Sequence, residues 1–222
     1  MKLGVLYSGG KDSTLALLKA KEHHEIACLI TVVSENPESY MFQVPNIDAT
    51  LLQSQAMGLP LVRVTTKGEK EKELADLKGA IAEAQKRYGI EGVVTGAVRS
   101  TYQASRVQKI CHELGLWCFN PLWLKDQVEL LNEVVDAGIV AVISGVFAEP
   151  LDETYLGKVI DKAMVAKLAK LKHVINPAGE GGEIETTVLF APGFKKKIVI
   201  TKNSTSYAKH SGVFRIEEAE LQ

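Results

Sequence analysis

Six consecutive residues near the amino terminus, Ser8-Gly9-Gly10-Lys11-Asp12-Ser13, combine the groups that hold a phosphate. Adjacent glycines let the backbone turn tightly and bring N–H groups against an anion with no Cβ in the way. Ser8 and Ser13 add hydroxyl donors and Lys11 a point charge. Asp12 is out of place in an anion site unless it orients the loop or reaches a magnesium ion. The spacing is neither GxxxxGK[ST] nor GxGxxG, which argues against Walker-type kinases and dinucleotide dehydrogenases. A second polar segment runs Gly96-Ala97-Val98-Arg99-Ser100-Thr101-Tyr102-Gln103, with Arg106 close behind. Here Gly96 permits close approach of a nucleotide, and Arg106 can reach a phosphate or carboxylate; a polar surface loop fits equally. A third segment, Gly179-Glu180-Gly181-Gly182-Glu183-Ile184-Glu185-Thr186, places three carboxylates on a glycine-rich loop. It reads either as a solvated loop or as a site for a cation, Mg²⁺ or a positively charged substrate.

The elements that must position these groups follow from periodicity. Leu3–Tyr7 reads as a buried strand, then a glycine turn and a helix from about Ser13 to His23, its end capped by His23-His24. Strands are expected at Ile26–Val33, Leu61–Thr65 and Gly92–Thr95. A helix over Ile47–Met57 takes Asn46 as its cap and Gly58-Leu59-Pro60 as its stop. Leu74, Leu77, Ile81, Ala84 and Tyr88 mark one face of a long helix. Val107, Ile110, Cys111 and Leu114 line another, and Val128, Leu131, Val134 and Val135 a third, before the apolar run Ile139–Val146. This alternation predicts an α/β doubly wound parallel sheet of Rossmann-like type over residues 1–150. Residues 151–222 read as a smaller α+β part, with a helix near Asp161–Leu171 and strands at Thr187–Phe190 and Lys197–Thr201. The phosphate-like loop then lies at the carboxyl end of the first strand, where open α/β sheets bind ligands, and its N–H groups meet the positive end of the following helix.

Composition sets the outer limits. The chain has 222 residues, 46% hydrophobic and 24% charged, with formal net charge −1, an ordinary balance for one globular unit or one unit with a small appendage. No basic excess points to nucleic acid or a membrane surface, and no apolar run nears the ~18–20 residues that span a bilayer. Cys28, Cys111 and Cys118 form no CxxC pair and read as structural thiols in a reducing cytoplasm. The five histidines show no metal-site spacing.

The loop Ser8–Ser13 resembles the SGGxDS signature of PP-loop ATP pyrophosphatases, which cleave ATP between its α and β phosphates. Together with Ser39–Asn46, Gly96–Arg106, Pro121-Leu122-Trp123 and the glycine-acid loop, the chain looks like the diphthine–ammonia ligase family over nearly its whole length. Ile184 and Gln43 depart from that family's usual Tyr and His. The resemblance implies ATP and Mg²⁺ as cofactors, with Ser8, Gly9, Gly10, Lys11, Asp12, Ser13, Gly96 and Ala97 on the nucleotide and Asp12 toward the metal. It implies adenylation of the carboxylate of diphthine, a modified histidine on elongation factor 2, followed by displacement of AMP by ammonia. No glutaminase segment is present, so free ammonium is the expected nitrogen source.

Diphthine carries a trimethylammonium group, which aromatic faces and carboxylates suit. The expected substrate contacts are Tyr40, Phe42, Ser100, Tyr102, Gln103, Arg106, Trp123, Glu180, Gly181, Gly182, Glu183, Glu185 and Thr186. Lys11, Asp12 and Glu183 are the expected catalytic groups, and a homo-oligomer is expected. Two alternatives remain on the sequence: a tRNA-thiolating enzyme, and a regulatory module that binds nucleotide without turnover.

Overall fold

The computed structural model describes residues 1–36, 46–69, 71 and 73–222. Its first half is a five-stranded parallel sheet of β1 (Lys2–Leu6), β2 (Glu25–Ser34), β3 (Leu61–Thr66), β4 (Gly92–Val94) and β5 (Trp117–Phe119), in the order β3-β2-β1-β4-β5. Four helices intervene: α1 (Lys11–Lys21), α2 (Ala49–Met57), α3 (Glu73–Tyr88) and α4 (Thr101–Glu113). The central strands are apolar in continuous runs, as burial on both faces requires. Leu77, Ala80, Ile81 and Ala84 of α3 pack with Val107, Ile110 and Cys111 of α4 over Ile30, Val32 and Val93. On the opposite face Leu3, Val5 and Leu29 meet Leu15 and Ala16 of α1.

That second face is closed by the other half of the chain. There α5 (Gln127–Asp136) leads into β6 (Val140–Val146), followed by α6 (Lys162–Ala169), β7 (Ile184–Phe190), β8 (Ile198–Ala208) and β9 (Ser211–Leu221). These four strands form a separate antiparallel sheet in the order β7-β6-β9-β8. Strand β6, which the alternating rhythm predicts as part of the parallel sheet, is a member of this second one. Its apolar run is buried in either setting, and its partners lie far along the chain. Leu130, Leu131, Ile143, Val188 and Phe214 share one core cluster with Leu3, Val5 and Leu15, so the two sheets are layers about a common core.

The fold corrects several local expectations. Gly58 does end α2 in the left-handed conformation, φ 67°. Asn46 does not cap that helix: Asp48 holds the cap position, and Asn46 ties the helix entry to the second sheet. Its side-chain amide donates to Phe214 O at 2.9 Å, and its oxygen accepts from Ile216 N at 2.8 Å. The His pair lies beyond α1, whose cap position is Glu22, and His24 packs its ring 5.5 Å from that of Phe119. Strands β5 and β9 are unanticipated.

Candidate functional site

In the order β3-β2-β1-β4-β5 the connections reverse direction between β1 and β4, which opens a crevice at the carboxyl ends of those two strands. Ser8–Ser13 follows β1 and the Thr95–Ser100 segment follows β4, so both loops edge the same opening. Ser8 Oγ and Ser13 Oγ lie 3.2 Å apart across the turn, and Gly10 N donates to Ser8 Oγ at 3.4 Å. Gly10 holds the cap position of α1 and has no side chain to fill it. The positive end of the helix therefore opens on the crevice, as an anion site requires.

Gly96 serves this geometry differently from the expectation. A Cβ there would lie 2.7 Å from Ser13 N and 2.9 Å from Asp12 C. What Gly96 admits is the first turn of α1, so the two loops close against each other. Ser100 caps α4, accepting from Gln103 N at 3.3 Å, and thereby fixes the second loop.

The third segment arrives from the antiparallel sheet. Val188 N donates to Gly9 O at 2.9 Å, and Lys11 N donates to Thr186 Oγ1 at 3.1 Å. The buried amide of Gln53 on α2 donates to both Gly9 O (2.9 Å) and Val188 O (2.7 Å), stapling the phosphate-like turn to β7. Lys11 is 2% exposed. Its ammonium donates to Asp12 Oδ2 at 2.8 Å and to Ala178 O at 2.6 Å, so the cation joins the two halves as well as charging the cavity wall.

These contacts enclose a cavity of about 550 Å³. Its polar wall includes Ser8, Gly10, Lys11, Asp12, Ser13, Thr95, Gly96, Ala97, Ser100, Tyr102, Gln103, Glu180, Gly181, Gly182, Glu185 and Thr186. Its apolar wall includes Ile184 of the third segment and, not placed at the site by the sequence reading, Leu6, Ile30, Val32, Ile47, Leu77 and Val107. The available signal was positional: Ile30 and Val32 stand late in β2, beside the crevice.

Carboxylates dominate the electrostatics. Burial, and then the nearby Asp12 charge, raise the Glu180 carboxyl above its usual range, while the Arg99 N–H, 2.9 Å from Glu180 Oε2, opposes the shift. Burial alone pushes Glu185 up to about 7. Asp12 Oδ1 and Glu185 Oε2 are both buried without a hydrogen-bond partner among the described residues.

Four expected contacts fall elsewhere. Glu183 closes its own loop, accepting from Asn176 N at 3.1 Å, Asn176 Nδ2 at 2.6 Å and Gly181 N at 2.8 Å, and does not line the cavity. Arg106 pairs with Glu71 and stacks its guanidinium 3.5 Å from the Tyr102 ring centre. Trp123, 37% exposed, lies outside the cavity lining, although its neighbour Leu124 N donates to Val98 O at 2.8 Å. Gly9 shapes the turn without lining the cavity. Tyr40 and Phe42 lie outside the described residues.

A phosphate-type loop at the switch point of an α/β sheet and a carboxylate-bearing loop from a second sheet wall one two-part cavity, the arrangement of a nucleotide-type α/β site. The chain belongs to the diphthamide synthase family: residues 1–118 match the model of the diphthamide synthase N-terminal domain, and residues 126–221 that of its C-terminal domain. It is 36% identical to the diphthine–ammonia ligase of Rattus norvegicus over 90% of this chain and 83% of that one. It is 34% identical to that of Bos taurus over 95% and 86%. It is 37% identical to that of Schizosaccharomyces pombe over 90% of this chain and 36% of that longer one. Among solved structures, a predicted subunit of tRNA methyltransferase from Methanocaldococcus jannaschii aligns at 13% identity with TM-score 0.41, over 86% of this chain and 98% of that one. That likeness is too distant to bear on function.

Proposed function

We propose that the chain is an ATP-dependent ligase that adenylates the carboxylate of diphthine on elongation factor 2 and converts it with ammonia to the amide, releasing AMP and pyrophosphate. One observation carries the reading: the phosphate-type loop and the acidic loop, from different sheets, wall the same cavity. Family membership and the curated relatives named diphthine–ammonia ligase support it.

The turn Ser8–Ser13 and the open end of α1 grip the departing phosphates, and the apolar wall of Ile30, Val32 and Leu77 receives the base. Lys11 opposes charge that develops as the α–β bond breaks. Asp12 would hold Mg²⁺: its buried, unpartnered Oδ1 suits a hard cation, which would supply further charge neutralisation at the phosphates. Tyr102, with the Arg106 guanidinium on one face of its ring, offers the other face for the trimethylammonium tail. Glu183 acts by holding the acidic loop in shape.

We further propose that the substrate part begins at α5, earlier than residue 150; the pairing of β6 with β7 and β9 supports this boundary. A reducing compartment, the cytoplasm, is supported by three free thiols. Among the described residues no helix is long and apolar enough to cross a membrane. Self-association is supported by the open edge of the second sheet, where residues 201–206 of β8 are exposed. The thiolation alternative gains no support: no cysteine lines the cavity, Cys28 and Cys111 are fully buried, and burial pushes the Cys28 thiol up to about 12.

The test is turnover with Mg²⁺, ATP, ammonium and diphthine-bearing elongation factor 2, followed by mass analysis. AMP, pyrophosphate and conversion of the acid to the amide are expected. AMP without amide redirects the search to another acceptor, and binding without AMP leaves a regulatory nucleotide-binding module.

A further inference from the structure

Glu185 is the least compensated charge-bearing group in the cavity. It lies in β7 opposite Gly145 of β6 and one residue before Thr186, which accepts from Lys11 N. Its Oε2 is buried and meets no donor among the described residues, and the residue lines the cavity. Burial with an empty lone pair disfavours a carboxylate unless an incoming ligand supplies the missing donor. Gly145 of β6 and Phe147, just beyond that strand, have no ionisable side chains. The titratable groups lining the same cavity are Tyr7, Lys11, Asp12, Tyr102 and Glu180. Of these, the Lys11 ammonium is engaged by Asp12 and Ala178, and the Tyr7 hydroxyl pairs with Thr14 Oγ1 at 3.1 Å.

The chemistry of the missing donor selects between the two cations that the proposed reaction brings to the site. A quaternary trimethylammonium carries no N–H and cannot fill an oxygen lone pair; an aromatic face serves it better. Ammonium carries four N–H donors and is small enough for a dry corner of the cavity. It must also lose a proton before its nitrogen can attack.

We propose that Glu185 binds the ammonium co-substrate and acts as the base that releases ammonia from it, an assignment that rests on the ligase reading above. The carboxylate takes one proton from ammonium, leaving neutral ammonia and a neutral carboxyl. The ammonia lone pair forms the C–N bond at the acyl-adenylate carbon. The bond from that carbon to the phosphate oxygen breaks, and AMP departs with the electron pair. The nitrogen sheds its surplus proton to water, and Glu185 returns its own to solvent. The residue's preference for a proton near neutrality, pushed up to about 7 by burial, suits a group that must accept and release one in each cycle.

The experiment compares wild type with Glu185→Gln and Glu185→Asp, using ATP, diphthine-bearing elongation factor 2 and ammonium chloride as the variable nitrogen source. For Glu185→Gln, ATP affinity and adenylate formation, read as substrate-dependent pyrophosphate exchange, are expected to stay within about 2-fold. Amide formation should fall roughly 100-fold, the usual scale for loss of a general base, with a raised ammonium KM. The acid limb of the wild-type amide-forming rate, centred at about pH 7, should vanish, and Glu185→Asp should restore part of the rate. Parallel loss of exchange and amide formation, or an unchanged acid limb in Glu185→Gln, overturns the assignment while leaving the ligase reading intact. A wild type that makes no adenylate with this substrate overturns both.

Discussion

Two carboxylates two residues apart, Glu183 before β7 and Glu185 within it, stand in opposite surroundings, and each difference is measurable. Glu183 accepts three N–H groups from Asn176 and Gly181 and so shapes the loop that presents Glu180. In Glu183→Gln one carboxylate oxygen becomes an amide that faces donors with another donor. The protein-substrate KM should rise about 10-fold, as loss of about 1.4 kcal/mol implies, while ATP affinity changes little. Equal losses for both ligands, measured by nucleotide titration and steady-state kinetics, would show that the loop braces the nucleotide site instead. Glu185 bears on stability through pH. Its folded value, about 7, stands above the unfolded value near 4.5, so the fold favours the protonated form. The stability tied to that proton is complete below about pH 4.5 and is lost as pH rises through about 7. The full difference is on the order of 3 kcal/mol, an upper bound because some solvent reaches the group. Glu185→Gln should therefore melt with wild type near pH 5 and several degrees above it near pH 8. A melting difference that stays constant across this range would mean that the carboxyl is not held in a desolvated place.

At the scale of elements, the decisive contact is the approach of the β4–α4 loop to the first turn of α1. Gly96→Ala would put a methyl 2.7 Å from Ser13 N, where backbone rather than a flexible side chain must yield. A cost of about 1–3 kcal/mol is expected, with at least a 10-fold loss of ATP affinity, because the anion-facing end of α1 is what moves. Gly79→Ala supplies the contrast: that glycine is exposed in α3 with nothing within 4 Å of a new Cβ, so about 1 kcal/mol of stabilisation is expected. Denaturant titration of both variants checks the pair, and equal effects would mean that loop closure is not specific. Much of this architecture was legible in the sequence. Strands β1 to β4, helices α1 to α4 and the position of the phosphate-type loop all follow from runs and spacings within a few dozen residues. What escaped was non-local or weakly marked. The run Ile139–Val146 is equally apolar in either sheet, and only pairing with β7 and β9 assigns it. Strand β5 has three residues, and the long β8–β9 hairpin is polar and exposed over much of its length. Glu183 and Glu185 read alike in sequence. One precedes β7 and folds back on its loop, while the other lies within the strand and lines the cavity.

The whole molecule is built around a shared core with two recognisable halves. The family models divide the chain near residues 118 and 126, yet the core does not divide there. Leu3, Val5 and Leu15 share a single buried cluster with Ile143, Ile184, Val188, Phe194 and Phe214. The joint is also hydrogen-bonded: Lys195 N donates to Ala56 O at 2.7 Å, Val188 N to Gly9 O at 2.9 Å, and Gln53 spans both sides. Exposing a large aliphatic or aromatic side chain costs about 1.5–3 kcal/mol, so uncovering several exceeds the roughly 5–15 kcal/mol that holds a typical domain together. The polar groups left unpaired along β7 and the phosphate-type turn add to that deficit. A fragment of residues 1–125 should therefore lack a cooperative thermal transition and bind no ATP, although it contains the complete phosphate-type loop. Circular dichroism melting and nucleotide titration on the purified fragment test this. A sharp transition with ATP affinity near that of the full chain would mean that the parallel sheet is autonomous and the second sheet only presents substrate. The expected outcome makes the proposed nucleotide site a property of the joint: the phosphate-type loop takes its shape from Gln53, Thr186 and Val188, and its own cation, Lys11, reaches across to Ala178.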